Sequence, residues 1–230
     1  MERFGGAAAS LSIPGSRRPQ NTGAIPDGIR EKTDLGGSSG RWLKGLFEPT
    51  PSPSHSPQAP SAMPESTPSI TSLVERLSGP DAEDRAAAAE ALCRAGESAS
   101  PAATALVAAC GDDDDGVREW AAAALEELGP PPAEQIAELI PLAAASHPLV
   151  AYWAVTLLGR GGEAASSAVS TLEACLAPGK AIEVRQRACW ALGKIGPAAA
   201  AARAALAVAA ADSDPRLSRL AGEALALIPA

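Results

Sequence analysis

Val117-Arg118-Glu119-Trp120-Ala121-Ala122-Ala123-Ala124-Leu125-Glu126-Glu127-Leu128-Gly129 follows an acidic turn, runs as an Ala-rich segment and stops at glycine. Alanine is the strongest helix former, and a glycine just past the last turn is the usual helix stop. The pattern then returns along the chain. Leu92, Leu125, Leu158, Leu192 and Leu225 are separated by 33, 33, 34 and 33 residues, and Gly96, Gly129, Gly162 and Gly196 keep the same steps. A second column, Leu73, Leu106, Leu139, Leu172 and Leu206, runs at 33, 33, 33 and 34. Self-similarity at this period predicts stacked repeats, in which each unit buries its apolar face against its neighbours.

Between these columns the chain reads as ten helices of two alternating types. One type carries the Val-Arg start of the quoted stretch. The other carries apolar pairs such as Leu73-Val74, Leu106-Val107 and Leu139-Ile140. Helical spacing of 3 and 4 marks Ile70, Leu73, Val74 and Leu77, and later Ile136, Leu139, Ile140 and Ala143. Pro80, the run Pro130-Pro131-Pro132, Pro148, Pro178 and Pro197 punctuate the series. No segment alternates with period two, so the expected class is all-α, with a repeat domain over residues 69–230.

Residues 1–68 read differently. They mix Gly, Ser, Pro and charge without apolar periodicity and are expected to stay disordered, because such composition cannot offset ordering entropy. One segment stands apart there. In Arg41-Trp42-Leu43-Lys44-Gly45-Leu46-Phe47, the pairs Trp42/Leu46 and Leu43/Phe47 are four apart, a pattern suited to docking as one or two helical turns. Met63, just before the first helix, is a candidate alternative start.

Aromatic residues make up 3% of the chain, so the core must be aliphatic. Residues 69–230 hold 12 Lys+Arg against 21 Asp+Glu, a net charge of −9, whereas residues 1–68 hold 7 against 6. An acidic body argues against phosphate-backbone binding and against anionic membrane surfaces, so neither nucleic acid nor membrane is expected as a partner. No secretory signal pattern appears, and no apolar run reads as long enough to cross a bilayer. Cys93, Cys110, Cys175 and Cys189 form no CxxC and read as small apolar fillers in a reducing compartment, which places the expected location in the cytoplasm.

Candidate sites are few. Asp112 to Asp115 fails as a calcium loop, since Gly111 and Ala122 stand where ligands would be needed. It reads instead as a helix start with Asp115 capping, and Asp214 before Pro215 does the same later. Trp120 and Trp153 share one repeat position with Ala87, Arg187 and Leu220. A position that accepts arginine is expected at the core edge, so the two tryptophans, with Tyr152 beside the second, are expected to form a partly exposed ridge for protein recognition. Glu173 and Arg203 break apolar columns on equivalent helices, and are expected either to pair or to mark a solvent-facing surface. Glu134 and Glu138 complete the candidate contacts. The final repeat ends without a covering helix, which makes its end a candidate for weak self-association.

Asp115-Gly116-Val117-Arg118, Glu183-Val184-Arg185 and Asp214-Pro215-Arg216-Leu217, each opening an Ala-rich helix, resemble HEAT repeats, and more narrowly the short HEAT-like repeats named after phycobilisome lyases. The resemblance implies a right-handed α-solenoid of antiparallel helix pairs. It implies an arginine–aspartate ladder through Arg85, Arg118 and Arg185, interrupted at Ala151 and Ser218. It also implies that the Leu-Val helices line the concave face. Enzymes of this likeness that bind two irons need His-Glu pairs, and His55 and His147 are followed by Ser and Pro, so no catalytic residue, metal or cofactor is expected. The expected function is a non-catalytic protein–protein interaction scaffold. A lyase-like enzyme or enzyme accessory is the alternative, and a nucleic-acid repair protein, disfavoured by charge, is a second.

Overall fold

A computed structural model of the chain describes residues 68–229, and among them the secondary structure is helical with no strand. The segment Arg41 to Phe47 and Met63 lie outside the described residues. Ten α-helices follow in order: α1 Ile70–Leu77, α2 Ala82–Ala95, α3 Ala103–Ala109, α4 Asp115–Glu127, α5 Ile136–Ala143, α6 Pro148–Arg160, α7 Val169–Ala174, α8 Ile182–Ile195, α9 Arg203–Ala210 and α10 Pro215–Leu227. The even-numbered helices are the long Val-Arg type and the odd-numbered ones are short. Successive pairs stack into an α-solenoid.

The repeat columns are its spine. Leu92, Leu125, Leu158 and Leu192 are fully buried on the long helices, and Leu73, Leu106, Leu139, Leu172 and Leu206 are buried on the short ones. Each such leucine contributes about 2 kcal/mol by leaving water. Small residues fill the rest, so helices meet at short range.

Glycine sets most of the corners. Gly96, Gly162 and Gly196 have φ of 55°, 55° and 69°. At Gly96 and Gly196, ψ is −134° and −136°, a region that side chains essentially exclude. After each of these three glycines comes a seven-residue 3-10 segment, Gly96–Ala102, Gly162–Ala168 and Gly196–Ala202. The glycine at 196 also settles the fate of residues 182–210, which have the length and composition to cross a membrane as one helix. That stretch is longer and more apolar than the sequence reading allowed. Here it folds back on itself as α8 and α9, with α8 packed between α6 and α10.

The fourth corner differs. Gly129 precedes Pro130, a setting that favours extended backbone. α4 ends there at Leu128 in an extended conformation, and only Ala133–Gln135 is 3-10. Gln135 takes the place of the buried Ala102, Ala168 and Ala202. Its amide is satisfied, donating from Nε2 to the Pro101 carbonyl at 2.7 Å and accepting from Thr104 Oγ1 at 3.3 Å.

Long helices α2 and α4, α6 and α8, and α8 and α10 lie close along their backbones, whereas neighbouring short helices touch only locally. A stack bends toward its more closely spaced layer. At these three junctions the long helices therefore lie on the inner side, the reverse of the expectation that the Leu-Val helices would do so.

The junction between α4 and α6 breaks this regularity, because the two long helices do not close on one another. The row Cys93, Glu126, Gly159, Gly193 explains it. A Cβ on Gly159 would stand 2.4 Å from Trp190 Cζ3 and 2.9 Å from Ala191 Cα, and one on Gly193 would stand 3.3 Å from Ala224 Cα. Those contacts require glycine or a very small side chain. Glu126 occupies the same place on α4 and stays exposed, since burying an unpaired carboxylate is prohibitive. α6 is joined to the first two pairs mainly through the short helices α3 and α5.

Candidate interaction surface

The turns before the long helices carry the arginine–aspartate ladder in two places. Arg85 makes a bidentate pair with Asp112, Nε to Oδ2 and Nη2 to Oδ1, both at 2.8 Å. Arg185 reaches Asp212 at 2.8 Å and the Leu176 carbonyl at 3.0 Å. Each aspartate also accepts the backbone N–H two residues on, and Asp114 and Asp214 then cap α4 and α10 by accepting from Val117 N and Leu217 N. The cap of α4 is thus Asp114, not the expected Asp115, because Asp114 is the residue in extended conformation. The Arg85 hydrogen bond holds the Asp112 carboxyl below the ordinary range. The Asp214 N–H, followed by Arg185, does so for Asp212.

Both rungs span 27 residues. From Arg118 that step lands on Ala145, so Arg118 turns back to the Asp112 carbonyl and Asp115. From Ala151 it lands on Pro178. The ladder is therefore missing around the third pair.

An aromatic and cationic cluster replaces it. The Arg187 guanidinium lies 5.0 Å from the Tyr152 ring centroid and 4.7 Å from that of Trp190, and donates to Tyr152 Oη at 2.6 Å. Tyr152 and Trp153 meet edge to face at 5.5 Å. Arg160 lies 6.0 Å from the Trp153 ring and donates to the carbonyls of Leu125 at 2.7 Å, of Glu126 at 3.4 Å and of Leu128. It thereby closes the C-terminus of α4, which lacks a positive-φ glycine. Burial, and then the neighbouring Arg187 charge, push the Arg160 pKa down.

Arg203 plays the same part for α10, donating to the carbonyls of Leu225 and Ile228. It does not pair with Glu173, which is half-buried on α7. Of the two alternatives expected for these residues, the pair does not form, because the last helix, like α4, ends without glycine and offers unsatisfied carbonyls closer by.

The expected tryptophan ridge does not form. Trp153 is 1% exposed and Tyr152 6%, so of these three rings only Trp120, at 39%, reaches solvent. Arg187, taken as the sign of an edge position, is itself buried against two rings. Glu134 and Glu138 are exposed on the short-helix side, away from Trp120. The parts that sequence reasoning missed are Arg160, Arg187 and Trp190 acting together. The available signal was a cationic or aromatic residue at each of the repeat positions 153, 160, 187 and 190.

Around Trp120 the inner face is mostly acidic. Glu83, Glu119, Glu126 and Glu127 are exposed, Ala87 is exposed, and Ala123 is half-buried. Residues 69–143 hold 4 Lys+Arg and 15 Asp+Glu, a net charge of −11, whereas residues 144–230 hold 8 and 6, a net of +2. The acidity of the repeat domain thus belongs to its first half. At the other end, Val208 and Leu227 are 74% and 59% exposed on the last pair.

Cys110, Cys175 and Cys189 are buried, and burial raises each thiol, that of Cys189 to about 12. Among the described residues no group of three or more His, Cys, Asp or Glu side chains is placed to hold a metal ion.

These features define an α-solenoid of stacked helix pairs with an aromatic, acidic inner face at one end. The family of HEAT repeats matches residues 70–143 and 136–226, and the chain belongs to that family. Among solved structures it is similar to an engineered protein, with TM-score 0.51 and 23% identity over 68% of this chain and 79% of that one. It is also similar to a designed armadillo repeat protein in complex with the peptide (KR)4, with TM-score 0.51 and 18% identity over 70% and 82%. A third similar structure is the complex of CpcE and CpcF of phycocyanin lyase from Nostoc sp. PCC7120, with TM-score 0.50 and 23% identity over 75% and 70%. At these identities the likeness concerns the fold. No curated protein matches the chain significantly.

Proposed function

We propose that the protein is a non-catalytic interaction scaffold whose inner face around Trp120 receives another protein. The observation that carries this reading is the exposure of Trp120 on a fixed helix face, while the aligned Trp153 and Arg187 are buried. A rigid aromatic surrounded by charge is a typical binding anchor. Two of the similar structures are described as complexes, one with a peptide and one between CpcE and CpcF, which supports a protein partner. The acidic surface disfavours nucleic acid and anionic lipid. Weak self-association would use the exposed Val208 and Leu227.

Quantitative affinity capture with mass spectrometry, comparing the full chain with Trp120→Ala, tests the face. Proteins retained by the first are expected to fall at least about tenfold with the second, the change that losing an anchor worth 1.4 kcal/mol gives. An unchanged set of captured proteins would remove Trp120 from the binding site.

A further inference from the structure

The acidic inner face and the one apolar, basic segment of the N-terminal region have matching chemistry. On the face, Trp120, Ala87 and Ala123 offer a shallow apolar strip between α2 and α4, and Glu83, Glu119 and Glu126 flank it. In the sequence, Arg41 to Phe47 carries Trp42, Leu43, Leu46 and Phe47 with two cations and no acid. The apolar side chains can cover the strip, and Arg41 and Lys44 can meet the carboxylates. A tryptophan face and flanking acids both favour a cation beside them.

We propose that residues 41–47 dock in cis on this strip and compete with a partner for it. The tether permits this. Residues 48–69 run from the segment to the start of α1, which packs directly on α2. As a coil, a linker of this length spans about 25 Å. Such tethering gives an effective concentration in the millimolar range, so an intrinsic Kd of about 100 μM closes the site roughly nine-tenths of the time. Weak contacts therefore suffice, and a partner displaces the segment without any rearrangement of the solenoid once its concentration exceeds about ten times its own Kd.

This inference uses the same face as the proposed function, but its test needs no partner. Trypsin cuts after Arg41 and Lys44, so cleavage at these two bonds is followed in the full chain and in a synthetic peptide of residues 36–50. Docking makes both bonds about tenfold slower in the chain, because cleavage then tracks the open fraction. In the variant Trp120→Ala/Glu119→Lys, with an unchanged circular dichroism spectrum and unfolding midpoint, the protection disappears. Equal rates in chain and peptide overturn the proposal, as does full protection in the variant. Protection that grows with chain concentration overturns docking in cis and assigns the segment to a second copy. Any of these results leaves capture of a partner through Trp120 standing or falling on its own measurement.

Discussion

α2 with α4, and α8 with α10, are the same kind of neighbouring pair drawn from the two halves of the solenoid. Each pair lies close along its backbone, and an arginine–aspartate rung ties the turns of each, bidentate between Arg85 and Asp112 and a single bond between Arg185 and Asp212. Their surfaces differ. The first presents Glu83, Glu119 and Glu127 with an exposed Trp120. The second is reached through α8, where Arg187 is buried against Tyr152 and Trp190. Between the halves lies a junction with neither rung nor glycine contact, held by Arg160 with the buried Trp153 beside it. Repetition thus fixes the frame, and departures from it concentrate at one place, where the two halves acquire separate characters.

The largest expected effect comes from emptying that junction. Trp153→Ala should cost about 3–5 kcal/mol, the usual range for a fully buried aromatic. Because repeat cooperativity depends on the interface between neighbours, the single unfolding transition should split into two. Denaturant unfolding followed by circular dichroism reads both quantities. A single transition with a loss below about 1 kcal/mol would show that the halves are joined elsewhere.

Corners sharpen the comparison at a smaller scale. Gly196→Ala places a side chain at φ 69°, ψ −136°, and should cost about 1–3 kcal/mol despite open space around the new Cβ. Gly129→Ala, at the aligned corner that ends in extended chain and also has open space, should change stability by less than about 0.5 kcal/mol. Equal losses in the two thermal unfolding midpoints would contradict the assignment of different corner geometries.

The smallest effect is in acid. Asp112 and Asp212 have folded pKa values below the ordinary carboxylate range. Their contribution is therefore fully present above the unfolded value of about 3.9 and is lost as pH falls through the lower folded value. Asp112→Asn should lower the midpoint at neutral pH and make its decline below about pH 4 shallower. A parallel shift of the whole profile would mean that the Arg85 rung does not couple to protonation.

Much of the frame was legible because each repeat answers only to its neighbours. The leucine columns named the spine, and the glycine column located three of its corners. Gly129 misled because Pro130 follows it, so the same letter takes a different backbone. Asp115 was one residue from the true cap, Asp114, since either residue could supply a carboxylate at that turn. Of the two alternatives for Glu173 and Arg203, pairing is absent because carbonyls at the end of α10 lie nearer to the guanidinium than the carboxylate does.

By itself the sequence determined that the chain is helical, that it repeats every 33 or 34 residues, and which leucines face inward, because these follow from local propensity and from a period repeated along the chain. Only the tertiary structure decided that Trp120 meets solvent while Trp153 does not, and that Arg160 and Arg203 spend their charge on helix ends. Residues in one row hold equivalent positions along their own helices. Their burial depends on what the adjacent helix brings against them, and a Glu in place of a Gly on that neighbour is enough to change the spacing.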